Sequence, residues 1–229
     1  MNKQIFCIWS GDNEMSINRQ NCLQSIVQNS KVDVVLVNST NLKEWIKPEF
    51  PLHPAYEYLS LTHRSDYLRA YLMHHYGGGY TDIKHIGFDW NPYFDILISS
   101  ENLLVSGYPM ANIAHVPHWL DDNIKNSYNK LPGVGQFIFK PNTVITREWI
   151  SILHSVLDTK LDLLRKFPGH YHARAVTNGV HGYEIPEHYG SKYPLLWSEI
   201  LADIILPVLY SNINYILLNM PYANMSNYI

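Results

Sequence analysis

Apolar residues first gather in one continuous run, Ile5-Phe6-Cys7-Ile8-Trp9, broken at once by Ser10-Gly11-Asp12-Asn13. A run without alternation, closed by turn residues, reads as a short strand covered on both faces. Val32-Asp33-Val34-Val35-Leu36-Val37 reads the same way, and its β-branched residues favour a strand. Between the two a helix is expected, capped by Ser16, with Leu23, Ile26 and Val27 on its inner face. Strand, helix and strand in this order form a βαβ unit with a right-handed crossover.

A second pattern, apolar residues three and four apart, marks residues 62–76 as a helix. Tyr67, Leu68, Tyr71 and Leu72 fall on one face, and Thr62, Asp66 and Arg69 on another. Gly77 stops the helix, and residues 79–83 return as a strand. A short helix is expected over 42–46, ended by Pro48 and Pro51. Further strands are expected at 103–108, 136–140 and 215–218, and helices over 143–164 and 197–209, while 168–194 is loop-rich. No repeat or linker interrupts the chain. These elements predict an α/β protein of one domain over residues 1–229, with a mostly parallel central sheet flanked by helices.

Composition narrows the classes. Hydrophobic residues make up 46% and charged residues 16%, so the chain can bury a core and is not disordered. A net charge of -3 with scattered basic residues leaves no footprint for nucleic acid or a membrane surface. Residues 200–218 are largely apolar but contain Asp203, Pro207, Asn212 and Asn214, so no membrane span is expected. Two cysteines, Cys7 and Cys22, build no disulfide framework, and with no leader-like segment a cytoplasmic protein is expected. Gly133-Val134-Gly135 lacks the third glycine of a dinucleotide fingerprint, and neither a P-loop nor a Gly-x-Ser-x-Gly elbow occurs. The histidines have no cysteine partners and no His-Glu-x-x-His frame, which argues against zinc catalysis. The 17 tyrosines and 6 tryptophans suit sugar or nucleobase contacts, because a flat ring stacks while its polar tip hydrogen-bonds.

The candidate chemistry lies in Ser65-Asp66-Tyr67-Leu68-Arg69 and Gly77-Gly78-Gly79-Tyr80-Thr81-Asp82-Ile83-Lys84. Asp66 and Arg69, three apart on one helix, can grip a vicinal diol as acceptor and donor. Asp82, leaving a strand after three glycines, can offer oxygen to Mg²⁺ or Mn²⁺. Lys84 points to the same side as Asp82. It would repel a cation there, or pair with a diphosphate in the cation's stead. Trp9 ends the first strand, at the edge where open α/β sheets bind ligands, and Gly11 permits close approach of the backbone.

Together with Ile8-Trp9-Ser10-Gly11, these motifs resemble those of the DXD-containing GT-A glycosyltransferases, a grouping that includes capsular-polysaccharide synthesis transferases, mannosyltransferases and the catalytic domains of glucosylating toxins. The likeness covers residues 5–84, and departs from the Asp-x-Asp pattern at Lys84. It implies a GT-A-like fold and transfer of a sugar from a nucleotide-sugar donor, a UDP-sugar, to a carbohydrate acceptor, with retention of configuration. It implies catalytic roles for Asp66, Arg69 and Asp82, with Asp82 the ligand of Mn²⁺ or Mg²⁺. Donor contacts are expected from Trp9, Ser10, Gly11, Ser65, Gly79, Tyr80, Lys84, Gln136 and His181. Residues 1–100 would form the donor half and 101–229 the acceptor half. If the reaction inverts, Glu184, Glu187 and Glu199 are candidate bases. A degenerate transferase that binds a nucleotide sugar without turnover is the competing reading.

Overall fold

The computed structural model describes residues 1–169 and 192–224. Six strands, β1 (Gln4–Trp9), β2 (Asp33–Asn38), β3 (Gly78–Thr81), β4 (Val105–Pro109), β5 (Pro132–Phe139) and β6 (Ile216–Leu218), form one sheet in the order β2-β1-β3-β5-β4-β6. β1 pairs in parallel with both β2 and β3, β4 pairs in parallel with β6, and β5 runs against its two neighbours. The expected α/β class with a mostly parallel sheet is therefore observed, and strands from both halves of the chain enter the same sheet.

Helices cover both faces, and the strands show it residue by residue. Phe6 and Ile8 of β1, with Phe137 and Phe139 of β5, face the larger core, which α2 (Leu61–His75), α5 (Val144–Lys166) and α6 (Ala202–Ser211) complete. Ile5, Cys7 and Ile138 face the opposite core, against α1 (Ile17–Asn29) and α3 (Asn91–Ser99). Alternate side chains thus bury on opposite faces, which is why these strands read as unbroken apolar runs. A short helix, α4 (Asp122–Asn126), lies between β4 and β5 in the chain. Cys7 and Cys22 are buried and unbridged.

α2 and its exit aim the site. Ser60 caps it, accepting from His63 N at 3.3 Å. Gly77 (φ 64°) and Gly78 (φ 94°) then turn the chain into β3 in the left-handed region, where a side chain would be strained. The helix is buried on nearly every side from Asp66 to Met73, so its charged residues must find partners inside the protein.

Several boundaries differ from expectation. Ser16 caps α1, and Ile26 and the partly buried Leu23 face the core as expected, but Cys22 and Ser25 complete that face and Val27 lies exposed. The strand after the glycines ends at Thr81, because Lys84 N bonds back to Asp82 O at 2.7 Å and turns the chain. α3 was not expected; it starts at Asn91-Pro92, where proline fits the first helical turn. Trp197 precedes α6 in a turn, the helix beginning only at Ala202. Among the described residues no helix is long and apolar enough to cross a membrane.

Candidate functional site

The carboxyl ends of β1 and β3 share one sheet edge, and Phe6 lies opposite Tyr80 in their register. The first residues of α2 reach the same edge, since Ser10 Oγ donates to Leu61 O at 2.6 Å. The antiparallel strand β5 brings Val134 and Gly135 there too, with Asp82 N bonded to Gly135 O at 2.8 Å.

Four charged side chains meet at this point. Arg69 Nη2 lies 3.1 Å from Asp66 Oδ1 and 3.4 Å from Asp82 Oδ1. Its Nη1 donates to Val134 O at 3.1 Å, and its guanidinium sits 4.5 Å over the Tyr80 ring. Tyr80 donates its hydroxyl proton to Asp82 Oδ1 at 2.8 Å, and Ser65 hydrogen-bonds that tyrosine. Lys84 Nζ donates to Asp82 Oδ2 at 3.0 Å. Solvent reaches these groups unequally: the Asp66 side chain is 3% exposed, Arg69 10%, Lys84 15% and Asp82 25%. Asp82 and Lys84 are thus the charged members most open to an incoming ligand.

The two carboxylates are tuned apart. Burial pushes Asp66 up to about 7; Arg69 opposes the rise and the nearby Asp82 charge adds to it. Burial also works against the Asp82 charge, but Arg69 and then Lys84 prevail and hold its carboxyl below the ordinary value. Burial raises the Tyr80 hydroxyl well above the usual range, so it stays a proton donor to Asp82. One side chain of the group can exchange a proton near neutrality while the next remains an anion. Such a division is a frequent mark of functional sites.

The other residues anticipated for the site are placed as follows. Trp9 is half-buried at the end of β1, its indole donating to Asn13 O at 2.8 Å. A Cβ on Gly11 would meet Asn13 Oδ1 at 2.4 Å, which makes this a tight turn. Gly79 is turned away from the charged group, since a Cβ there would press on Trp90 at 2.7 Å. Gln136, opposite Thr81, is buried and donates to Pro221 O at 2.9 Å. His181 lies outside the described residues, as do Glu184 and Glu187. Glu199 has both oxygens engaged, one by Lys160 Nζ at 3.0 Å and the other by Leu196 N at 2.8 Å.

Parts of the site come from residues not anticipated. Tyr108 of β4 packs over Gly133, where a Cβ would lie 2.1 Å from its ring, and it hydrogen-bonds the Gly135 backbone. Burial raises this phenol to about 12. The chain after β6 crosses back over the sheet: Ser106 holds Asn219, Gln136 holds Pro221, Tyr222 packs on Tyr108 at 5.1 Å, and Asn224 N bonds His85 O at 3.0 Å. Arg19 Nη1 donates to Ile83 O at 2.7 Å, pinning the turn between Asp82 and Lys84. Small glycines facing a large ring, Gly133 and Gly135 against Tyr108, are the one part of this arrangement with a trace in the sequence.

Among the described residues the donor set around Asp82 does not fit a divalent cation. Asp82 Oδ1 accepts from Tyr80 and pairs with the Arg69 charge, Oδ2 accepts from Lys84, and Asp66 is nearly sealed from solvent. Hard cations seek several oxygen ligands and no neighbouring ammonium. Among the described residues no three His, Cys, Asp or Glu side chains converge as a metal cluster.

Comparison with known proteins gives likenesses to a family and to solved structures. The family model described as capsular polysaccharide synthesis protein matches residues 1–83, the segment that carries β1, α2, β3 and Asp82. Among solved structures, the chain is similar to one titled PaToxG Glycosyltransferase, with a TM-score of 0.47 and 13% identity, over 92% of this chain and 69% of that one. No curated protein matches.

Proposed function

We propose that the protein is a glycosyltransferase that moves a sugar from a nucleotide-sugar donor, a UDP-sugar, to a hydroxyl of a glycan acceptor. The observation that carries the reading is the convergence of Asp66, Arg69, Asp82 and Lys84 at the carboxyl edge of β1 and β3. The family match over residues 1–83 supports it, since that family's title concerns polysaccharide synthesis.

In this reading residues 1–100 form most of the donor half, joined by Val134, Gly135 and Tyr108 from the acceptor half. Trp9 covers the base beside Ser10 and Gly11. Asp66 and Arg69 orient the sugar hydroxyls. Asp66, raised to about 7, can donate or accept toward a hydroxyl near neutral pH. Asp82 positions the Lys84 ammonium for the diphosphate and is itself held by Tyr80. In the reaction the bond between the anomeric carbon and the diphosphate oxygen breaks, and the diphosphate leaves with the electron pair. The acceptor oxygen bonds that carbon and gives its proton to the departing diphosphate. Fixed positive charge at the oxygen that gains charge is what lowers the barrier.

Donor hydrolysis and transfer to glycan acceptors are the direct assays, run with UDP-, GDP- and dTDP-sugars. Asp66→Ala and Asp82→Ala should each lose turnover by at least about 10²-fold while remaining folded. Undiminished turnover in both variants would remove the assignment. The Asp82–Lys84 pair also favours a second reading, a binder without turnover. Donor binding with neither hydrolysis nor transfer would select it.

A further inference from the structure

We propose that the cation facing the donor diphosphate is the Lys84 ammonium, built into the chain, and that donor binding and transfer need no divalent metal. The inference rests on the donor-site reading above and specifies its electrostatics.

Three observations lead to it. The first is occupancy of the acid. Both Asp82 oxygens already accept hydrogen bonds from groups of this chain, and one of those groups is a full positive charge at 3.0 Å. A divalent ion on that oxygen would share it with the ammonium and be repelled by its charge. The second is rigidity. Lys84 N bonds Asp82 O at 2.7 Å, the intervening Ile83 is buried in the α1–α3 core, and the Arg19 guanidinium holds Ile83 O at 2.7 Å. The backbone under Lys84 is thereby fixed from both sides, so the ammonium is held where Asp82 aims it. The third is charge. A pair of carboxylates with a divalent ion is neutral overall, and so is one carboxylate with one ammonium. A single exchange of acid for lysine yields the same balance without recruiting an ion. Lysine suits the task because its three N–H donors make charge-assisted bonds to phosphate oxygens and adjust to their geometry.

The test is binding of free nucleoside diphosphates (UDP, GDP and dTDP) to the intact protein by isothermal titration calorimetry, in EDTA and in Mn²⁺. The unmodified protein should bind its preferred nucleotide with affinities in the two buffers that agree within about twofold. Lys84→Ala should weaken binding by about tenfold or more in both buffers, and Lys84→Arg should restore most of it. Lys84→Asp, which rebuilds two acids around Ile83, should bind in Mn²⁺ and lose binding in EDTA. Circular dichroism and melting curves establish that each variant is folded, and Lys84→Arg serves as the conservative control. Binding by the unmodified protein that appears only with Mn²⁺ overturns the inference and leaves the donor reading intact. Unchanged affinity in Lys84→Ala overturns it equally. If no nucleoside diphosphate binds in either buffer, the donor reading falls and this inference with it.

Discussion

Asp66 offers a test of the site that needs no substrate. Its carboxyl is sealed between α2 and the Arg69 guanidinium, and burial lifts it from 3.8 to about 7. Between those values the folded protein holds a proton that the unfolded chain has released. Stability from this group is therefore complete below 3.8, declines as pH rises, and is gone above about 7. Integrating that difference from about pH 5 to about pH 8 gives a loss on the order of 2–3 kcal/mol. Asp66→Asn removes the titration while keeping the shape of the side chain. Urea unfolding of both proteins at about pH 5 and about pH 8 isolates the contribution. His63, buried and lowered to about 4, titrates in both proteins and cancels in the difference. Asp82 runs in the opposite sense: its stabilisation is lost only as pH falls through a value below the ordinary one, beneath the chosen window. The unmodified protein should lose about 2–3 kcal/mol more than Asp66→Asn on going to the higher pH. Two profiles that fall in parallel would refute the claim that Asp66 is a buried carboxyl held near neutrality.

Two further outcomes follow from the same geometry. Gly135→Ala places a Cβ 2.9 Å from Asp82 Oδ2 at a residue whose backbone needs no glycine. The carboxylate must shift, so kcat/KM should fall by about 10²-fold with the melting temperature nearly unchanged; a large drop in melting temperature with full activity would contradict it. Arg69→Met leaves Asp66 and Asp82 without their shared guanidinium, and breaking a buried charge network of this kind costs about 3–5 kcal/mol. Urea midpoints measure it, and a loss below about 1 kcal/mol would mean the network is not buried as described.

What was legible in the sequence was local. β1 and β2 announce themselves as apolar runs and α2 by its periodicity, and α2 carries its own stop in Gly77. Asp66, Arg69, Asp82 and Lys84 could be proposed together because they lie close in sequence, two on one helix and two just after the short strand that follows its glycine turn. Residues that arrive through sheet order were not legible. Tyr108, Val134 and Gly135 reach Asp82 only because β5 and β4 follow β3 across the sheet, and pairing between distant segments leaves no periodic mark. The segment 219–224 is similar: its anchors, Ser106, Gln136 and His85, lie far away in the chain. Val27 failed for a different reason. It is apolar and adjacent to Ile26, but the helical turn carries it to the solvent side, where a single exposed valine costs little.

Lys84 shows where pattern reading needs geometry to finish it. Strand alternation predicts its side chain beside Asp82, and the turn after Thr81 places it there; that position is compatible both with repelling a metal and with replacing one. The two outcomes differ in how the acid's oxygens are used. An Asp82 whose oxygens had no partners in the chain would leave room for a cation, and the lysine would then be an obstacle. Here Tyr80 and Arg69 take one oxygen and Lys84 takes the other, so the carboxylate is already neutralised by its own chain. In the donor-site reading proposed above, a diphosphate at this edge would meet an acid already paired with an ammonium. In that reading, the pairing turns a substitution that looks like the loss of a motif into an alternative way of presenting positive charge.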